Sequence, residues 1–190
     1  MGLTGALADG FGLQRMPPLK YLAGYPADVL DQVGRLLDSG RLTAILLQKY
    51  PLAHDIKSDK ALYTYAMDLK NRFLRQSAPL GKIVYDDKID IEHQALGLHS
   101  TVSRVQGGRL KSKNEIRIGS VFKIAPLPVL DTVVVHELAH LREKQHNKAF
   151  YQLCEHMQPG YRQMEFDMRL YLTHLDALGP LYRPGVGNGA

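Results

Sequence analysis

The chain has 190 residues, of which 45% are hydrophobic, and this places it in the ordinary globular class, with one domain and a real core. No apolar run approaches the roughly 20 residues that a membrane-spanning helix needs, and a single cysteine, Cys154, excludes an internal disulfide framework. The excess of 24 lysines and arginines over 19 acidic residues permits contact with nucleic acid or an acidic substrate but requires neither.

The ends of the chain differ from its middle in composition. Residues 1–19 are rich in glycine and alanine and lack a basic start followed by an apolar core, which is typical of a disordered or vector-derived tail rather than a signal peptide. We expect a single domain over 20–178, with a helical part (20–78), a part made of a sheet and further helices (79–178), and a mobile tail (179–190). The lone cysteine suits a reducing compartment, so we expect a cytoplasmic protein.

Helices are predicted in the first third of the chain. Pro26 suits the first turn of a helix whose apolar positions should stop by Ser39-Gly40. A second helix should run over 42–49, and Ser58 or Asp59 could cap a longer third one. These helices are most simply scaffold, because the sequence assigns them no chemistry.

The spacing between apolar residues then changes from about four residues to two, which predicts strands. Short strands are expected at 82–85, 89–91, 101–105 and 115–122. Asp86-Asp87-Lys88 and Gly107-Gly108 are the expected turns. We therefore predict a small antiparallel sheet. One of its edge strands could bind an extended peptide by adding a strand, although a protected edge without a ligand fits the sequence equally well.

The segment His136-Glu137-Leu138-Ala139-His140 carries the chemistry. On a helix, His136 and His140 lie on one face and can bind one ion, while Glu137 beside them can take a proton from water. Zn²⁺ accepts neutral imidazole nitrogens, and a catalytic site keeps a position for water. The surrounding residues are apolar, so the histidines could instead be core residues, but the pattern arises by chance in only about one chain in a hundred of this length.

A third histidine, His146, follows at a distance that a continuous helix could not bring back to the ion. The helix should therefore end near Lys144, and Asn147 suits the N-cap of the next helix. Glu155 and Glu165 are the alternative third ligands. Three protein ligands and a water indicate a catalytic zinc site, whereas a structural one would need a fourth protein ligand.

Two more helices complete the predicted fold, one over 148–157 and a last one that Gly179-Pro180 closes. The predicted class is α+β and zincin-like. Its parts are N-terminal helices, a small antiparallel sheet, an active-site helix with the HExxH pattern and two C-terminal helices.

The run VVVHELAHLREKQHNKAFYQL, preceded by KSKNEIRIGSVFKIAPLPVLD, resembles the YgjP-like metallopeptidase family, which is related at its motif to SprT-like zinc proteases. The resemblance extends from about Tyr21 through Leu175. It implies a cytoplasmic zincin-like domain with a zinc peptidase or metal-dependent hydrolase activity. It also implies His136, His140 and His146 as metal ligands and Glu137 as catalytic base.

The expected function is hydrolysis of peptide bonds by a metal-activated water, with Zn²⁺ as cofactor and Glu137 as general base. A non-peptidase hydrolase of a small amide or ester would use the same residues. A protease that acts on nucleic-acid-associated proteins, like the SprT-like relatives, would need a contiguous positive surface. The expected partner is a peptide or protein substrate, and no membrane contact is predicted.

Overall fold

A computed structural model describes residues 19–89, 97–106 and 109–182, and gives only the backbone for 97–106 and 109–113. The helices are α1 (Ala27–Asp38), α2 (Arg41–Lys49), α3 (Asp59–Phe73), α4 (Leu127–Ala139), α5 (Lys148–Met157) and α6 (Tyr161–Leu178). The strands are β1 (Leu80–Asp86), β2 (Gly97–Gln106) and β3 (Arg109–Gly119), and short 3-10 helices cover Lys20–Leu22 and Ser120–Ile124. The predicted α+β class is confirmed.

The predicted helix boundaries of the first third are confirmed to within one residue. Helix α1 ends before Ser39, and Gly40 takes a left-handed conformation with φ of 67° that joins it to α2. Ser58 is the N-cap of α3, because its hydroxyl accepts the backbone N–H of Ala61 at 3.2 Å. These local signals determine where each helix begins and ends.

The three strands form a mixed sheet in the order β1-β3-β2. Strands β2 and β3 are antiparallel, as predicted, but β1 is parallel to β3, with Ile83 beside Ile116. The prediction of an antiparallel sheet is therefore wrong for β1. The alternation of apolar residues shows which of them face the core, but it does not show the direction of the neighbouring strand. The parallel register places two buried residues of β1 beside two buried residues of β3, namely Ile83 beside Ile116 and Tyr85 beside Ile118.

Two strand predictions need correction. Strand β3 begins before Glu115 and ends at Gly119, where Ser120–Ile124 forms a 3-10 turn that buries Phe122. Ile89 lies in no strand. The rest of the predicted strand 89–91 and the predicted turn at Gly107-Gly108 lie outside the described residues.

Helix α4 lies at the centre of the molecule. It begins after Pro126, with Pro128 in its first turn, and ten of its thirteen residues are buried, from Val129 to Ala139 except Asp131. It packs against α3, α5, α6 and the strands β2 and β3. A helix that is apolar on all sides is a core helix, so side chains at its C-terminal end are held by rigid surroundings.

The last described residues pack on this core. Leu181 is buried, and the hydroxyl of Tyr182 donates to the backbone carbonyl of Tyr50 at 2.8 Å. Residues 1–18 of the predicted N-terminal tail and 183–190 of the predicted C-terminal tail lie outside the described residues. The domain boundaries stay predictions. No helix in the described ranges is long and apolar enough to cross a membrane.

Candidate metal centre

Helix α4 ends at Ala139, so His140 is its C-cap, and the predicted end near Lys144 is wrong by several residues. The carbonyl of Ala139 accepts the N–H groups of both Arg142 and Glu143, at 3.0 and 2.9 Å, which closes the last turn. Every positive-φ residue in the described part is a glycine. The turn is therefore made without a left-handed residue at Glu143, and its early start leaves enough chain for His146 to return.

Asn147 places His146. Its side chain accepts the backbone N–H of Phe150 at 2.9 Å and caps α5, which confirms the predicted cap. His146 immediately precedes that cap, and its Nε2 lies 3.0 Å from Nε2 of His136. One ligand nitrogen from each of His136, His140 and His146, the three-histidine cluster, lies within 4.8 Å of the other two. The structure thus brings the three predicted ligands together.

The alternative ligands are used elsewhere. A carboxylate oxygen of Glu155 accepts the backbone N–H of Gly160 at 2.7 Å, and Glu165 pairs with Arg169 at 3.1 Å. Cys154 is fully buried, and burial raises the pKa of its thiol to about 12. Within the described residues, the group of side chains able to hold a metal consists of the three histidines alone.

Hydrogen bonds orient two of the imidazole rings. Nδ1 of His140 lies 2.9 Å from the carbonyl of Glu143, and because a carbonyl only accepts, Nδ1 carries the proton and Nε2 the lone pair. Nδ1 of His136 lies 2.9 Å from the hydroxyl of Tyr161. Partners of this kind are typical of metal-binding histidines. Tyr161 comes 25 residues after His136 in the chain and lies on α6, so no sequence spacing points to this contact.

Phe150 is a further residue of the site that the sequence did not single out. Its fully buried ring contacts all three histidine rings, with centroid distances of 4.7–4.9 Å. It stands four residues after His146, in the first turn of α5, and this closeness along the chain was the available signal. Phe150 forms an apolar wall that limits how the imidazoles can rotate.

Glu137 is 2% exposed, and its Oε2 has no hydrogen-bond partner among the described residues. Burial raises the pKa of this carboxyl to about 8. A buried carboxyl without a partner costs free energy in a purely structural setting. Its position directly after His136 therefore indicates a group kept for a ligand, a proton or a nearby cation.

The cluster fits a divalent transition metal. With Zn–N distances of about 2.0–2.1 Å, two tetrahedral ligand nitrogens stand roughly 3.3 Å apart, close to the 3.0 Å between the Nε2 atoms of His136 and His146. Burial is the main cause that lowers the pKa of His136, to about 2, and it also lowers the pKa of His140. These two imidazoles are therefore neutral at pH 7, the form in which imidazole binds metals.

A measurable pH dependence of stability follows from these shifts in the metal-free protein. Burial lowers the pKa values of His54, His136, His140 and His174 below their unfolded value near 6.5. The unfolded chain then binds protons first as the pH falls, so stability that is present above about pH 6.5 is lost below it. Glu137 has a raised pKa, so its carboxyl binds a proton in the folded state at a higher pH than in the unfolded chain. It therefore increases the stability of the folded state as the pH falls from about 8 to 4.5.

Burial also raises the pKa of Asp131, which acts in the same direction as Glu137. With four histidines against two carboxyls, we expect the free energy of unfolding to fall between pH 7 and 5.5, as measured by urea denaturation with a chelator present. Each fully shifted group contributes at most about 1.4 kcal/mol per pH unit. The Glu137→Gln variant should show a steeper fall. A stability that rises over this interval would contradict the histidine shifts.

Comparison with known proteins identifies one matching family and one similar protein. The family model described as YgjP-like, metallopeptidase domain, matches residues 80–170, a range that contains the sheet, the three-histidine cluster and most of α6. The chain is 58% identical over 160 residues to the UTP pyrophosphatase of Escherichia coli (strain K12), and the alignment covers 84% of this chain and 96% of that protein. No solved structure is significantly similar to the chain.

Proposed function

The chain belongs to the YgjP-like family of metallopeptidase domains, and from that premise we propose that it is a metal-dependent hydrolase that cleaves UTP into UMP and pyrophosphate. The observation that carries the hydrolase assignment is the three-histidine cluster next to the buried carboxyl of Glu137, whose Oε2 has no hydrogen-bond partner within the described part of the chain. The choice of substrate is supported by the relative, which is 58% identical and named for this activity.

His136, His140 and His146 would hold the metal, and Zn²⁺ is the ion that three imidazoles suit best. When bound, the metal supplies a Lewis acid that lowers the pKa of water and neutralises phosphate charge. Imidazole binds a metal in its neutral form, so three histidine ligands would leave the ion its full positive charge. That charge favours a polyanionic substrate such as a nucleoside triphosphate.

Glu137 is the general base of the proposed reaction. A cation next to this carboxyl favours its ionised form and lowers its pKa from the raised value. The carboxylate then accepts a proton from the attacking water, whose oxygen forms a bond to the α-phosphorus. The bond from the α-phosphorus to the bridging oxygen breaks, and pyrophosphate leaves with that oxygen. Phe150 closes one side of the site and keeps the imidazoles in place.

The test is to incubate the zinc-loaded protein with UTP, separate the nucleotides by ion-exchange chromatography, and measure pyrophosphate with and without an added inorganic pyrophosphatase. We expect UMP and pyrophosphate in equal amounts. Formation of UDP and phosphate would contradict the proposed bond cleavage. A Glu137→Gln variant that is purified in the same way should form no product, and this controls for contaminating phosphatases.

Peptide hydrolysis is the second candidate function. The family description names a metallopeptidase, and β2, an edge of the sheet, contacts α4. Within the described ranges β2 pairs only with β3, so an extended peptide could add to its other side. A fluorogenic peptide library incubated with the same protein tests this alternative: cleavage that depends on Glu137, without UTP hydrolysis, would replace the proposed substrate with a peptide.

The contact between Tyr161 and His136 predicts a loss of metal affinity in the Tyr161→Phe variant. Without the hydroxyl, Nδ1 of His136 loses the partner that fixes the ring, and metal affinity should fall by about 10–100-fold. The measurement is competition for zinc against a chromophoric chelator. The matched control is Tyr171→Phe, which removes another buried hydroxyl from α6, one without a hydrogen-bond partner among the described residues. Equal affinities in the two variants would contradict the role of Tyr161.

A further inference from the structure

A cavity with a volume of about 420 Å³ lies at the C-terminal end of α3. Three of its lining residues are arginines, Arg72, Arg75 and Arg142, and the others are Phe73, Leu74, Gln76 and Ser77. No acidic side chain among the described residues lines it. Its volume falls within the range of small-molecule sites, and its charge is entirely positive.

The three guanidinium groups make contacts other than ion pairs with the described part of the chain. Arg75 donates its Nε–H to the backbone carbonyl of Asn71 at 2.9 Å, and Arg72 lies over the ring of Phe73, 4.9 Å from its centroid. Among the described residues, none of the three arginines forms an ion pair. The three side chains are exposed, so water screens part of the repulsion between their like charges, and an anion bound between them would relieve the remainder.

The cavity lies on ordered parts of the fold, and one of its lining residues is close in sequence to a residue of the three-histidine cluster. Arg142 stands two residues after His140, in the turn that closes α4. The end of α3 is held by the buried Leu74 and by Phe73, whose ring contacts that of His156 on α5 edge to face at 5.5 Å. Arg72, Arg75 and Arg142 therefore extend from backbone that the core holds in place.

We propose that Arg72, Arg75 and Arg142 form a polyphosphate-binding site. Guanidinium groups present planar pairs of N–H donors that match phosphate oxygens, and they remain charged at any physiological pH. The choice of a polyphosphate among anions rests on the proposed function, whereas anion binding by the cavity does not. The ligand is either the phosphate chain of the substrate or a separate polyphosphate.

The experiment measures binding of inorganic pyrophosphate to the zinc-loaded protein by isothermal titration calorimetry. The test variant is Arg75→Gln with Arg142→Gln. The control variant is Arg35→Gln with Arg41→Gln, which removes two exposed arginines of α1 and α2 and changes the net charge equally. Zinc content is measured after each titration, because pyrophosphate also binds metals. We expect at least about tenfold weaker binding in the test variant and unchanged binding in the control.

The kinetics of UTP hydrolysis separate the two sources of the phosphate. A raised KM with an unchanged kcat in the test variant assigns the site to the substrate, and an unchanged KM with weakened pyrophosphate binding assigns it to a separate ligand. Pyrophosphate binding that depends on Arg75 and Arg142 in a protein that does not cleave UTP would support this site and refute the proposed function. Equal pyrophosphate affinities in the test and control variants would overturn the inference.

Discussion

Replacement of Glu137 by glutamine is expected to abolish hydrolysis while leaving the metal bound. Glutamine has nearly the same shape and can fill the buried position, but it cannot accept a proton from water. A positioned general base contributes about 10²–10⁴-fold to the rate, so kcat should fall by that factor. The measurement is the steady-state rate of UTP cleavage, with the metal content determined by elemental analysis.

Glu143→Gln is the matched control for this variant. Glu143 also lies next to the cluster, and its backbone carbonyl, which the substitution preserves, accepts the hydrogen bond from His140. The change in charge is the same, so a general electrostatic effect would lower both rates equally. Full activity of Glu137→Gln would exclude this carboxyl as the base, and loss of metal from that variant would assign Glu137 a role in binding rather than proton transfer.

Replacement of His146 by alanine is expected to lower zinc affinity by more than a hundredfold, because loss of a direct ligand should exceed the 10–100-fold effect of an outer partner. His146 is exposed, unlike the buried His136, so the metal-free fold should keep its stability. Zinc affinity by chelator competition and the urea unfolding midpoint of the metal-free protein are measured together. The rate of hydrolysis should fall in proportion to the amount of metal that the variant has lost.

His156→Ala serves as the comparison for this experiment. His156 also belongs to α5, but its ring packs against Phe73 and lies outside the three-histidine cluster. Its removal should leave zinc affinity unchanged. If His146→Ala retains zinc as well as His156→Ala does, the third ligand must be another group.

Much of the candidate site could be predicted from local sequence. The spacing of His136 and His140 needs only the period of a helix, and Asn147 signals a helix start that places His146 just before it. What could not be predicted is where α4 ends. At that end the carbonyl of Ala139 accepts two N–H groups, and His140 contacts the carbonyl of Glu143. The sequence does not specify these hydrogen bonds.

The sequence by itself determined the helix boundaries of the first third of the chain, the alternation of the strands and the cap that places His146, because each depends on neighbours a few residues away. The tertiary structure alone decided the parallel pairing of β1 with β3, the contact of Tyr161 with His136 and the grouping of Arg142 with Arg72 and Arg75. These contacts join segments that lie far apart in the chain. They depend on how buried faces pack around α4, and no local spacing encodes that packing.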